Sequence, residues 1–525
     1  MREFEDLKKI VRKFTEKELK IHLCKPSTSG VPLTHGTNLV KLVYKNPAIS
    51  CLEAQIQIYG REKTIAFNQL VHRTKEELFD VLISNDSVLE SNSYGYNTKM
   101  VLSLRKQIIL FDILNLRGLT PVANRLINKV IKKSKHVESY DTLTLALYSR
   151  LRINVVNLTS VEYDAYLKEI DFYEDCLKSY HRSRTTLHNY YSNLSSRLSM
   201  QGRVEMLRKQ IEVMELDHLR TGSKKILYNL LILKAEYYET LDEFAKSLEI
   251  KNQILELLKL NSHLSSNYYI GVSILGIAVS RIQLLDLRNA FQNLIEAHNY
   301  LNDHDLNRFV VNKYQFLANF FLGDTRQTEH FIDLLNSYLY SGVIVNFFAA
   351  EVRYYNACLK FIVGEYSASY LLLQNTRELE KDKESWNVAI RVLGIMNQIE
   401  SENYELADSL VENLRKHYER LKRNMFISKR DEVIVQVLLA LSRHSYNFKK
   451  TFRLRQESFN KLESMLGPYR WKILSPEMII FHEWFLAKLH GQKYQHFERI
   501  PELIRSYASA MEASMDVSRL ESFVS

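Results

Sequence analysis

The sequence predicts an all-α protein, a right-handed α-solenoid of helical hairpins preceded by a small N-terminal helical domain. Three observations carry that prediction. The 525 residues include only 15 glycines and 7 prolines, against usual shares of about 7% and 5%, and a β-rich fold would need many more of both at its tight turns. Apolar residues return with helical period, as in "LDEFAKSLEIKNQILELL", where Phe244, Leu248, Ile250, Ile254, Leu255 and Leu258 fall mostly on one side. A pattern of small and large residues also recurs at an interval near 40.

The recurring pattern is clearest in "GIAVSRIQLLDLRNAFQNLIEAH", residues 276–298. Here Ala278 is followed nine positions later by Leu287 and three after that by Ala290, with Ala297 beyond. The same offsets give Ala235, Phe244, Ser247, then Ala357, Tyr366, Ser369, then Ile395, Tyr404, Ala407, with weaker copies at Ser195, Val204, Leu207 and at Ala318, Gln327, His330. First positions at 195, 235, 278, 318, 357 and 395 are separated by 40, 43, 40, 39 and 38 residues. Two antiparallel helices approach closely only where the side chains at their crossing are small, and the intervening bulky residue fills the wedge toward the next hairpin.

The order small, then "D/G-x-aromatic-x-x-A/S", as in "GEYSAS" (Gly364, Tyr366, Ser369) and "ENYELADSL" (Tyr404, Ala407), resembles the tetratricopeptide repeat. The resemblance implies an α-solenoid whose concave face binds a peptide or protein. It covers 190–430 clearly and 100–460 more loosely. The chain departs from the family in its period, since the family repeats every 34 or so residues, and in lacking the family's Trp and closing Pro.

Before the array the reading changes. "KPSTSGVPLTHGTN", 25–38, concentrates Pro26, Gly30, Pro32 and Gly36 and reads as a loop. After it come a helix ending at Asn46-Pro47, a short helix from about Ser50 to Ile58, a turn at Tyr59-Gly60, and a longer helix from about Glu62 to Ile83. The polar stretch "SNDSVLESNSYGYNTK" then separates a domain at 1–90 from the array at 100–465. Residues 466–525, with Trp471 and Trp484, read as a terminal cap, and the closing "SMDVSRLESFVS" as a loose tail.

The net charge of +10 permits an acidic or nucleic-acid partner without requiring one. Its distribution is uneven. From Leu104 to Lys135 eight cations (Arg105, Lys106, Arg117, Arg125, Lys129, Lys132, Lys133, Lys135) face one acid, Asp112, and a second basic run holds Arg415, Lys416, Arg420, Lys422, Arg423, Lys429 and Arg430. Lys and Arg are the ordinary occupants of solvated helix faces. Cations on successive turns nevertheless form one charged stripe, so Arg415, Lys416, Arg420 and Arg423 are the candidate contacts for an acidic protein or peptide partner.

The helix, glycine turn and helix around Gly60, within 38–84, loosely resemble a helix-turn-helix or winged-helix module. In such a module the second helix presents base-reading side chains, which here would be Arg61, Lys63, Asn68, Gln69 and Arg73. Against DNA binding, residues 1–90 hold fourteen cations and twelve acids, and phosphate contacts need an excess of cations. The basic run from Arg105 to Lys135 could supply them.

Catalytic signatures are missing from the sequence. Cys24, Cys51, Cys176 and Cys358 are too scattered for a metal knuckle and too few for a disulfide framework. The histidines, including His482 of "HEW", His490 and His496, lack a partner one turn away. His298 and His330 read as surface or satisfied core residues. A Gly-rich phosphate loop and a GxSxG elbow are both absent. The aromatics Tyr338, Tyr340, Phe347, Phe348, Tyr354 and Tyr355 fit a core at helical spacing. With no apolar run near the length of a bilayer and no secretory signal in "MREFEDLKKIVRKFTEKELK", a cytoplasmic, non-catalytic protein- or peptide-binding scaffold without cofactor or metal is expected. The alternative is a transcriptional regulator in which residues 36–95 bind DNA and the repeats sense a partner.

Overall fold

A computed structural model describes residues 2–14, 19, 35–84, 95–193, 200–302, 304–341, 346–374, 386–423, 427–465 and 467–524. These residues form 24 α-helices and no strand. By internal contacts the chain divides into two compact units, Met1–Thr159 and Ser160–Ser525, so the helices following the polar stretch at 85–99 group with the N-terminal block.

The first unit opens with α1 (Arg2–Lys13), α2 (His35–Lys45), α3 (Cys51–Tyr59) and α4 (Thr64–Ser84). Their shared core contains Phe4, Leu7, Val11, Leu39, Val43, Phe67, Leu70 and Leu78. Local chemistry fixes the α3–α4 corner. Ser50 and Glu53 form a capping box at the start of α3, and Gly60 ends it at φ 72, a left-handed conformation in which a Cβ would be strained. The Gln55 carboxamide then accepts the Lys63 amide at 3.1 Å, and the Tyr59 hydroxyl donates to the Ala66 carbonyl at 3.3 Å. The loop expected at 25–38 ends sooner, because α2 already begins at His35; residues 25–34 lie outside the described residues. The unit continues with α5 (Tyr96–Leu116), α6 (Thr120–His136) and α7 (Tyr140–Asn154).

In the second unit α8 (Ser160–Asn193) and α9 (Met200–Thr221) precede the regular hairpins α10 (Lys224–Thr240) with α11 (Phe244–Leu260), α12 (Asn267–Gln283) with α13 (Leu287–Leu301), α14 (Asp305–Leu322) with α15 (Thr325–Ser341), α16 (Asn346–Val363) with α17 (Tyr366–Gln374), and α18 (Trp386–Glu400) with α19 (Tyr404–Arg423). Each helix packs on the next, in a solenoid-like arrangement. The small residues sit where close crossings require them: Ala278, Ala290, Ala318, Ala357 and Ala407 are fully buried. Leu287, Phe244, Tyr366 and Tyr404 each occupy the first position of the second helix in their hairpins.

Two details differ from the sequence reading. In the α14–α15 hairpin the small buried position is Thr328, the fourth residue of α15, while His330 is exposed; the small position comes two residues earlier than the spacing predicts. Ser195 lies outside the described residues. Every one of these turns carries a residue of positive φ, at Asp242, Leu285, Gly323, Gly364 and Glu402. Only two of the five are glycine, so composition gave no hint of them.

The C-terminal part continues with α20 (Lys429–Arg443), α21 (Phe448–Leu454), α22 (Gln456–Leu462), α23 (Phe481–Leu489) and α24 (His496–Val524). It shares one core with the hairpins from α12 onward, through Trp471, Phe481, Trp484, Phe485 and Tyr507. α24 approaches the α14–α15 turn so closely that a Cβ on Gly323 would lie 2.9 Å from both the Phe497 carbonyl and the Pro501 ring. The expected loose tail is instead helical to Val524. Tyr354 and Tyr355 are buried, as expected of core aromatics, whereas Phe347 is partly exposed.

Candidate functional site

α17 and α19 are the second helices of consecutive hairpins, with α18 between them in the chain. The three helices border a cavity of about 680 Å³, within the usual size of ligand sites. Tyr370, Leu373 and Gln374 of α17 form one wall, Ile390, Arg391 and Gly394 of α18 the floor. Residues 375–385, which follow α17, lie outside the described residues.

The third wall comes from α19, whose Asn413, Lys416, Glu419, Arg420 and Arg423 all line the cavity. Spacings of three and four residues stack Asn413, Lys416, Arg420 and Arg423 on one helical face. Three of the four cations picked out in the sequence are thus brought together, and α18 adds a fourth, Arg391, that sequence reasoning missed. Arg415 is not among them. Its guanidinium is held by Glu412 at 2.8 Å and Glu419 at 2.6 Å on its own helix, an arrangement that pulls the Glu412 carboxyl below its usual range.

On α19 the lining cations are only weakly engaged among the described residues. Lys416 Nζ stands 3.8 Å from Glu412, Arg420 donates to His417 Nδ1 at 3.4 Å, and Arg423 is exposed and has no ion pair or hydrogen bond among the described residues. Arg391 of α18 donates to the Asn387 carbonyl at 3.3 Å. Among the described lining residues the one carboxylate, Glu419, is committed to Arg415. These lining residues therefore carry an excess of positive charge beside the apolar Leu373 and Ile390, suited to an anionic segment with an apolar side chain.

The second basic run is not one surface. Arg430, at its end, is 5% exposed. It is fixed by Glu477 at 2.5 and 3.0 Å, by the carbonyls of Leu462 and Tyr469, and by His482 Nδ1 at 3.1 Å. Burial and the two arginines nearby, Arg430 and Arg499, push His482 well below the ordinary histidine range, so the ring is neutral and accepts from Arg430. This buried group ties α20 to the segment before α23. Its acid lies 47 residues from its arginine, beyond the reach of any local pattern.

In the first unit, Arg61 and Lys63 lie in the α3–α4 turn, and Asn68, Gln69 and Arg73 lie on α4. All five are exposed, while Phe67, Leu70, Val71 and Thr74 face the core. Lys63 Nζ sits 5.4 Å from the Tyr59 ring centre. The tyrosines of the second unit form a further cluster: Tyr190 and Tyr191 donate to Glu236 at 2.8 and 3.4 Å, and burial raises the Glu236 carboxyl. None of the described helices is long and apolar enough to cross a membrane. No family model matches the chain, and no curated protein or solved structure matches it either.

Proposed function

We propose that the chain is a non-catalytic binding scaffold whose second unit holds an acidic peptide segment of a protein partner in the cavity between α17, α18 and α19. The observation that supports this reading is the convergence of Arg391, Lys416, Arg420 and Arg423 on one cavity whose only carboxylate among the described lining residues is already paired. A segment with two or more acidic residues and one apolar side chain would place carboxylates against the α19 stripe and the apolar group over Ile390 and Leu373. The resemblance to tetratricopeptide repeats is consistent with such a role.

The test is binding of a fluorescent glutamate-rich peptide containing leucine to the full chain at low salt. Replacing Lys416, Arg420 and Arg423 together by Gln should weaken binding by at least about tenfold, equivalent to roughly 1.4 kcal/mol, and Arg415→Gln should change it little. Equal losses in both variants, or no binding by the unaltered chain, would overturn the reading.

A further inference from the structure

The two units divide the charge unevenly. Residues 1–159 contain 25 Lys and Arg against 15 Asp and Glu, and residues 160–525 contain 46 of each. The whole net charge of +10 therefore belongs to the first unit. Within it, residues 95–159 hold eleven cations and three acids. Two of those acids are neutralised away from α6: Asp112 pairs with Arg152 at 3.0 Å and Asp141 with Arg105 at 2.6 Å.

α6, "TPVANRLINKVIKKSKH", contains no acid at all. Its apolar side, Ala123, Ile127, Val130 and Ile131, is buried by packing against α5 and α7. At 100° per residue, Arg125, Asn128, Lys129, Lys132 and Lys133 all fall on the opposite side, and all are exposed. The four cations have no hydrogen-bond or ion-pair partner among the described residues. Surface cations elsewhere, such as Arg208, Lys209, Arg415 and Lys461, pair with a carboxylate on their own helix; these do not.

We propose that the outer face of α6 is a contact surface for the phosphate backbone of duplex nucleic acid. Arg125 to Lys133 spans about 12 Å of helix axis, and a duplex carries one charge per about 1.7 Å of its own axis, so each of the four cations can meet a separate phosphate. A lipid surface is the poorer fit, because an interfacial helix lays its apolar side into the bilayer and that side of α6 is already used in packing. Unpaired single strands are usually held by aromatic stacking, and α6 has no Phe, Tyr or Trp. Binding here is independent of sequence and of the cavity in the second unit; base reading by Asn68, Gln69 and Arg73 would be a separate property.

The experiment is fluorescence anisotropy of a labelled duplex of arbitrary sequence with the full chain over a range of salt. Four phosphate contacts give a slope of log K against log salt of about −3.6, at about −0.9 per contact. The variant with Arg125, Lys129, Lys132 and Lys133 all changed to Gln should lose most of that slope and bind at least about tenfold more weakly at low salt. These side chains are solvent-facing, so circular dichroism should be unchanged. The Gln variant of Lys416, Arg420 and Arg423 should bind duplex as the unaltered chain does, which separates failure here from failure of the peptide reading. No salt-dependent duplex binding, a slope that survives in the α6 variant, or preferential binding to phosphatidylserine vesicles would overturn the proposal.

Discussion

α6 and α19 carry the same number of Lys and Arg residues, five each, and present different electrostatic surfaces. In α19 four acids share the helix. Arg415 is held by two of them, Lys416 stands near one, and Lys422 lies 3.6 Å from Glu432 of α20. In α6 there is no acid, and the outer cations stand in water. A third arrangement is Arg430, counted in the same basic run as α19 yet enclosed with Glu477 and His482. The comparison teaches that a run of cations has no electrostatic meaning until the position of the acids is known.

The largest expected effect comes from the enclosed cation. Arg430→Ala strands the Glu477 carboxylate, whose side chain is only 10% exposed, and should cost about 3–5 kcal/mol in urea unfolding. The corresponding change at an outer α6 cation, Lys129→Ala, should stay within about 0.5 kcal/mol. If the two variants unfold alike, Arg430 is not the anchor described.

The next effect is one of acid. His482 and His496 are buried and held neutral, His496 pushed down to about 3 by burial. Below the unfolded value of about 6.5 the unfolded chain takes up a proton at each position while the folded chain does not. Stability should therefore fall as pH falls, by up to about 1.4 kcal/mol per pH unit for each histidine. Urea midpoints at a series of pH values below 6.5 measure this, and His482→Gln should reduce the slope; an unchanged slope would exclude His482 as a contributor.

The smallest effect is on the paired surface. Glu412→Gln releases part of the hold on Arg415, and exposed pairs of this kind contribute little because water and salt screen them. The urea midpoint should hardly move, and the glutamate-rich peptide should bind slightly more tightly. Weaker peptide binding would mean that Glu412 helps to position Lys416 for the ligand.

The hairpins were legible because packing imposes a local rule. Ala278, Ala290, Ala357, Ser369 and Ala407 are small at crossings set by helix geometry, and each lies in or beside the element its spacing predicts. The rule was misplaced at Gln327 and His330, where the small position is Thr328. Half of the candidate site was legible for a similar reason, since Lys416, Arg420 and Arg423 share a helical face by spacing alone. Arg391 was not, because it lies on a different helix, α18, and only tertiary packing brings it beside the α19 stripe. Arg430 was read as surface because its partner is remote in the chain.

The cavity bordered by α17, α18 and α19 has a consequence for cooperativity. In a stack of hairpins, stability is close to a sum of repeat terms and nearest-neighbour interfaces, and this cavity is lined by helices of two consecutive hairpins. A ligand that fills it adds contacts across that interface and so splices the two hairpins, and occupancy would be felt as increased protection of amide hydrogens on both sides of it.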